Sequence, residues 1–346
     1  MQTTTVRPER AKGEAGMAEG SAPVEPTHPR TRQDVLYWLE GGRIGGETAV
    51  RHLRQLGANQ AEEDRERSAA TGAALRRDGV FQELDALIGL TTVKMVIREI
   101  EALVEIQRRR QQVGLKVETQ MLHMVFKGPP GTGKTTVARL LGGIFRSLEV
   151  LTKGHLIEVE RADLVGEYIG HTAQRTRDAI RKALGGILFV DEAYALARGG
   201  PKDFGKEAID TLVKAMEDYK GQFVLILAGY PKEMDLFVET NPGLRSRFGM
   251  ILDFPPYTAQ ELVTICRHML RERQYVLAPG AEGELEHYFN RIADSAHPYA
   301  GNARMVRNLM ERAIRRQALR LVKRRVATSR ETLMELSWVD FDPGAK

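Results

Sequence analysis

Gly128-Pro-Pro-Gly-Thr-Gly-Lys-Thr135 fits G-x-x-x-x-G-K-S/T at every fixed position, between the apolar run Met121 to Phe126 and a helical pattern from Thr136. The order is strand, glycine loop, helix. Binding a phosphate requires several backbone N–H groups turned toward one anion, and Gly128, Gly131 and Gly133 allow such curvature without a clashing Cβ. Lys134 is expected to reach the β- and γ-phosphates, and the Thr135 hydroxyl to hold Mg2+. The N-terminus of the next helix adds partial positive charge. A glycine-rich turn that matches by chance is the bland alternative, and the strand-to-helix context argues against it. The stretch implies a bound nucleoside triphosphate, with Pro129, Pro130, Thr132 and Thr136 completing the contact segment.

The 346 residues, 42% hydrophobic, suffice for two packed units with extra segments at the ends. The single cysteine, Cys266, has no partner for an internal disulfide, and no CxxC or histidine cluster offers a structural metal site. A reducing compartment, the cytoplasm, is expected. No 18-residue apolar run and no basic-then-apolar N-terminus is present, so neither membrane spanning nor export is indicated. A net charge of +5 is too small to point to nucleic acid.

Residues 1–30 mix Thr, Glu, Gly, Ala and Pro with charges of both signs and are expected to be disordered. Residues 31–60 read as a small helical hairpin around Gly41 to Gly46, closed on itself or docked on a partner through Leu36, Trp38, Leu39, Val50, Leu53 and Leu56. Residues 61–79, charged and alanine-rich, read as a linker. From residue 80 to 256, apolar strands alternate with helices. The strands fall at Met121 to Phe126, His155 to Glu160, Ile187 to Val190, Phe223 to Ala228 and Met250 to Phe254. Near-continuous apolar strands of this kind predict an α/β fold with a five-stranded parallel sheet covered on both faces. Residues 257–326 read as helices only, a second subdomain, and residues 327–346 as a tail.

The run Ile187-Leu-Phe-Val-Asp-Glu192 places two acids at the carboxyl end of a buried strand, where α/β sheets bind ligands. Asp191 is expected to hold Mg2+ through water, and Glu192 to orient or deprotonate the attacking water. Ordinary surface charge is the alternative, made less attractive by the phosphate loop upstream.

Leu87-Ile-Gly-Leu90, the phosphate loop, Ile187 to Glu192, Asn241-Pro-Gly-Leu-Arg-Ser-Arg-Phe248 and Gly301-Asn-Ala-Arg304 together resemble an AAA+ P-loop NTPase with a C-terminal helical lid. The segments Gly154 to Gln174 and Asp203-Phe-Gly-Lys-Glu-Ala-Ile-Asp210 narrow the likeness to the family of stage V sporulation protein K and the red-type rubisco activases. It covers about Val80 to Leu321. The resemblance implies an ATP- and Mg2+-dependent hydrolase that remodels a protein client and acts as a homo-oligomeric ring, by analogy of six. It assigns nucleotide contacts to Leu87, Ile88 and Gly89. Arg247, or else Arg245, becomes an arginine finger delivered to a neighbouring subunit, for which a planar, permanently charged guanidinium is suited. Arg304, with Arg307 as runner-up, becomes a second sensor on the lid. Tyr168 and Ile169, bracketed by Gly166 and Gly170, become a pore loop that grips the client. Packing of Tyr168 on its own subunit is the alternative.

One feature departs from the wider class, whose fourth strand often ends in an asparagine that helps position the water. Here the strand runs Leu227-Ala-Gly-Tyr230, so the role falls to Tyr230, is filled from elsewhere, or is missing. Two motifs are set aside. Asp203-Phe-Gly205 spells a kinase triplet without its catalytic loop and reads as a turn opening the next helix. The basic run from Arg304 to Arg325 has no interleaved aromatics. With Met305, Leu309, Ala313, Ala318 and Leu321 inward, it reads as a solvated face or subunit contact. A DNA motor on the same fold and a nucleotide-gated scaffold stand as rival functions, and Glu192 argues against the scaffold.

Overall fold

The computed structural model describes residues 29, 31–118, 120–168, 170–199, 203–294, 302–324 and 329–341, with the side chains of 59–76, 294 and 324 left aside. The expected disorder of residues 1–30 falls almost wholly outside the described residues. The chain divides into two units, residues 1–72 and residues 73–346.

In the first unit, α1 (Arg32–Glu40) begins with a capping box in which Thr31 and Asp34 each bond the other's backbone N–H. The second helix, α2 (Gly46–Ala86), runs without a break across residues 61–79, the expected linker, and the division between the two units falls inside that stretch. Ala, Glu and Arg are strong helix formers, so this composition extends a helix rather than interrupting it. Of the apolar residues expected to close the hairpin or dock it on a partner, Trp38, Leu53 and Leu56 are half-buried. Val35 and Ala49 are its buried apolar residues, while Leu36, Leu39 and Val50 are exposed.

The second unit is built around a sheet of β1 (Met124–Lys127), β2 (Leu156–Val159), β3 (Ile187–Val190), β4 (Val224–Gly229) and β5 (Met250–Asp253). Every neighbouring pair is parallel, in the order β2-β3-β4-β1-β5. This is the fold class expected from the sequence. One core, on one face of the sheet, joins Met124 and Phe126 of β1 to α3 (Thr91–Gln112), α4 (Lys134–Ser147) and the end of α2 through Phe81 and Leu84. Val125, Leu188 and Leu225 face the other way. They pack against α6 (His171–Ala183), α7 (Gly205–Asp218) and α8 (Pro231–Glu239). Alternate strand residues thus enter opposite cores, as a two-fold side-chain period requires. Two four-residue helices, α5 (Arg161–Leu164) and α9 (Pro242–Arg245), complete this half.

The lid comprises α10 (Ala259–Glu272), β6 (Val276–Leu277), α11 (Ala281–Asp294), α12 (Asn302–Arg324), α13 (Arg330–Met334), β7 (Glu335–Leu336) and α14 (Trp338–Phe341). Two expectations are corrected here. The lid is not helices only, because β6 and β7 pair in parallel. The described part of the C-terminal tail is lid core: Leu336 and Phe341 are buried beside Leu262, Cys266, Phe289 and Leu309. Asp340, 1% exposed, accepts from Arg320 Nε at 2.8 Å and Nη2 at 2.7 Å, and from the Ser337 N–H and hydroxyl at 3.0 Å each. On α12, Leu309, Ala313 and Leu321 point inward as expected, but Gln317 takes the inward place assigned to Ala318. Its amide donates to the Leu333 and Glu335 carbonyls at 3.0 and 2.8 Å, which pins the tail to the helix. Arg304, Arg307, Arg312, Arg315 and Lys323 are exposed. Among the described residues no helix is long and apolar enough to cross a membrane.

Candidate active site

The phosphate loop leaves the carboxyl end of β1, between β4 and β5, and its three glycines serve two purposes. Gly131 and Gly133 have φ of 77° and 94°, in the region that disfavours side chains. Gly128 does not share that conformation. A Cβ there would lie 2.4 Å from the Phe254 carbonyl oxygen, so its smallness lets the loop pass under the end of β5. The Thr132 hydroxyl donates to the Pro129 carbonyl at 2.9 Å, closing the turn from inside. Lys134 and Thr135 open α4, and Thr136 is exposed beside them. The Lys134 ammonium donates to the carbonyls of Gly128 at 2.7 Å and Pro129 at 2.9 Å. Burial lowers its pKa, Asp191 and Glu192 oppose that shift, and Arg304 reinforces it. Residues from three elements, β3, α4 and α12, therefore share one electrostatic neighbourhood.

Asp191 and Glu192 follow β3 directly. The Glu192 backbone is left-handed, φ 45°, and its N–H is held by Asp191 Oδ1 at 2.9 Å. That conformation is uncommon for a residue with a side chain, and non-glycine strain of this sort clusters at functional positions. A short 3₁₀ turn, Ala193–Ala197, comes next. Within it the buried Tyr194 has its pKa pushed up to about 12, first by burial and then by the Glu192 charge. The Arg198 guanidinium stacks over the Tyr194 ring, 4.5 Å from its centre, and the Tyr230 ring lies 6.0 Å away.

Tyr194 also explains the missing asparagine at the end of β4. A Cβ on Gly229 would come within 2.7 Å of the Tyr194 ring and 2.8 Å of the Met234 sulfur, so no side chain fits there. The sequence reading did not find Tyr194, although it stands two residues past Glu192. Arg161, at the start of α5, anchors the same segment. It donates to the Ala195 carbonyl at 2.7 Å and to both Asp203 oxygens at 2.7 and 2.8 Å. Asp203 in turn accepts from the Gly205 N–H at 2.7 Å, the turn expected at the head of α7.

Leu87, Ile88 and Gly89 connect the sheet and the lid. Leu87 packs on the sheet core and Ile88 on the lid core, while Gly89 and Leu90 are both left-handed, with φ of 65° and 57°. Tyr257 packs on both cores.

The two candidate finger arginines differ in their surroundings. Arg245 is exposed at the end of α9. Arg247 is bonded within its own chain, to Glu217 and, at 3.0 Å, to the Gly243 carbonyl, yet its buried Nε has no hydrogen-bond partner. Tyr168, between α5 and α6, is 65% exposed, with only the His171 ring edge-on at 5.5 Å. Ile169 lies outside the described residues. The glycines around them have local causes. A Cβ on Gly166 would strike His171 at 2.5 Å, and Gly170, φ 84°, caps α6. They carry no argument for loop mobility, and the exposure of Tyr168 stands apart from them.

The residues present fit a hard divalent cation shared with phosphate. Thr135 and Asp191 offer oxygen donors, and among the described residues no group of three or more His, Cys, Asp or Glu forms a cage of its own.

Comparison with known proteins agrees with this geometry. The family model described as "ATPase family associated with various cellular activities (AAA)" matches residues 124–256, and the AAA lid domain matches 258–346. Stage V sporulation protein K of Bacillus subtilis (strain 168) is 54% identical over 267 residues, spanning 76% of this chain and 83% of that protein. The chain belongs to the AAA+ ATPase family. Within that family, Protein CbbX of Cereibacter sphaeroides is 48% identical over 244 residues, 70% of this chain and 78% of its own. The chloroplastic ribulose bisphosphate carboxylase/oxygenase activase of Cyanidioschyzon merolae (strain NIES-3377 / 10D) is 49% identical over 244 residues, 70% and 83%. A solved RuvB structure from Thermotoga maritima is 21% identical with a TM-score of 0.49, covering 75% of this chain and 69% of that one. The activity of this AAA+ chain is ATP hydrolysis. The lid boundary of the family model, which reaches residue 346, agrees with the packing of Leu336 and Phe341 into the lid core.

Proposed function

We propose that this AAA+ ATPase is a protein-remodelling motor, assembled as a ring, that grips an extended polypeptide client with Tyr168. The observation that carries the reading is a large aromatic side chain held outward, 65% exposed, on the loop between α5 and α6. Exposed aromatics that fill no cavity of their own chain are suited to nonspecific apolar contact with another. In the hydrolytic site, Thr135 and Asp191 would hold the Mg2+ that accompanies ATP and offsets its phosphate charge. Lys134 neutralises phosphate charge, Glu192 orients or activates water, and Tyr194 steadies Glu192. Arg304 carries the state of the γ-phosphate to the lid. Arg247, whose donors are incompletely satisfied within its own chain, completes the site of a neighbour. The bound nucleotide supplies the in-line phosphoryl chemistry. The chain supplies charge, orientation and the water's proton acceptor.

The client is a protein, and the 54% identity to stage V sporulation protein K favours a sporulation-associated one. A second reading, a rubisco-activase-like client, is supported by the 48% and 49% identities to CbbX and the algal activase. Tyr168→Ala tests the motor. Melting temperature and basal ATPase are expected to hold, while client-stimulated ATPase collapses. An unchanged client response refutes threading, and a marked fall in melting temperature assigns Tyr168 to packing instead.

A further inference from the structure

Three successive carbonyls of the phosphate loop are taken by groups that stand just before α10 and at the head of α12. Asn302 Nδ2 donates to the Pro130 carbonyl at 3.3 Å, the Ala303 N–H to the Gly131 carbonyl at 3.1 Å, and the Tyr257 hydroxyl to the Thr132 carbonyl at 3.2 Å. Asn302 is 2% exposed, and its Oδ1 accepts from the Tyr257 N–H at 3.0 Å. That bond fixes which end of the amide faces the loop, because an N–H must meet the oxygen. Its backbone is left-handed, φ 42°, so the position is strained for a residue with a side chain. Tyr257 is wedged between the two halves of the nucleotide site. Its hydroxyl lies 3.4 Å from where a Gly133 Cβ would be, and its ring 3.5 Å from where a Gly89 Cβ would be.

In a trans peptide the C=O and the following N–H point in opposite directions. Fixing the carbonyls of Pro130, Gly131 and Thr132 toward the lid therefore fixes the N–H groups of Gly131, Thr132 and Gly133 on the opposite side of the loop. Those are donors of the phosphate cradle, and a cradle already aimed loses less entropy on binding. We propose that Asn302 and Tyr257 are positioning residues that aim the phosphate-loop peptides, so that attachment of the lid sets the affinity for the nucleotide's phosphates. They touch the loop through its outward carbonyls, and they differ in this from Arg304, a cation in the field of Lys134. Tyr257 remains a donor at neutral pH, since burial and Glu261 push its pKa up to about 12.

Tyr257→Phe removes one hydroxyl and leaves the ring packed on both cores. Asn302→Gly removes the amide, relieves the positive φ and leaves the Ala303 N–H in place. Titration calorimetry of the full chain with Mg-ADP and a slowly hydrolysed ATP analogue, well below the melting temperature, should show Kd raised about fivefold by each change, the worth of one ordinary hydrogen bond. The double variant should lose more than either. In steady-state assays the loss should fall on KM rather than kcat. Either a lowered melting temperature with unchanged Kd, or a fall in kcat with unchanged Kd, would overturn the proposal. The first result would make the pair a packing joint, and the second would place it in the chemical step.

Discussion

Asp340→Ala should destabilise the lid by about 3 kcal/mol, from the low end of the range for breaking a buried ion pair. The carboxylate is 1% exposed and accepts four hydrogen bonds, two from Arg320 and two from Ser337. Removing it leaves a guanidinium with no partner in the lid core and an N–H at the start of α14 with no acceptor. The Arg320 side chain is 23% exposed, so water can reach part of the stranded charge, and this keeps the cost at the low end. For a unit of this size each kcal/mol shifts the midpoint by roughly 2–4 °C, so thermal melts followed by circular dichroism should fall by about 6–12 °C. The design closes with a second variant. Arg320→Met combined with Asp340→Leu removes both charges and should recover most of the loss, because the penalty comes from the unpaired ion rather than from the absence of a bond. A fall below about 1 kcal/mol, or a double variant no better than Asp340→Ala, would refute the reasoning and return residues 329–341 to the status of a dispensable tail.

Three further outcomes are expected. Lys134→Ala should abolish ATP binding, whereas Glu192→Gln should bind ATP with near-parental affinity and hydrolyse it at least about a hundredfold more slowly; parental turnover in the glutamine variant would remove Glu192 from its role. Arg247→Ala subunits mixed with Glu192→Gln subunits should regain activity that neither has alone, and no recovery in confirmed mixed assemblies would place the arginine's action within its own chain. His123 is buried, accepts from the Leu225 N–H at 2.9 Å, and burial lowers its pKa to about 4. The folded state thus resists a proton that the unfolded chain takes up near pH 6.5, so His123 contributes stability above that pH which is lost as pH falls toward 4. The loss amounts to about 3 kcal/mol in all. In urea titrations His123→Gln should flatten that part of the pH dependence, and an unchanged slope would show that His123 is protonated without cost.

What the sequence disclosed is what is written contiguously. Lys134, Asp191 and Glu192 stand in short runs whose residue types are demanded by phosphate and metal chemistry, and the apolar strands betray a parallel sheet because both their faces are buried. The clamp of Asn302 and Tyr257 was not legible, because Asn302 lies 172 residues from Pro130 and no local pattern links them. The C-terminal segment was misread for another reason. Its contribution rests on a few apolar residues, Leu336, Trp338 and Phe341, in elements of two to five residues, too short to show a period. The helical form of residues 61–79 was not legible, because charge and alanine suit a linker and a helix alike.

The ring of Tyr194 against Gly229 ties two distant positions into one packing problem. A chain that gains a side chain at 229, such as an asparagine, must surrender the ring at 194 and move the Met234 sulfur as well. With it would go the ring that stacks against Arg198. Each one-residue intermediate is worse than either end, because it is either overfilled or hollow. A redesign of the water site therefore has to begin with positions 194, 229 and 234 together.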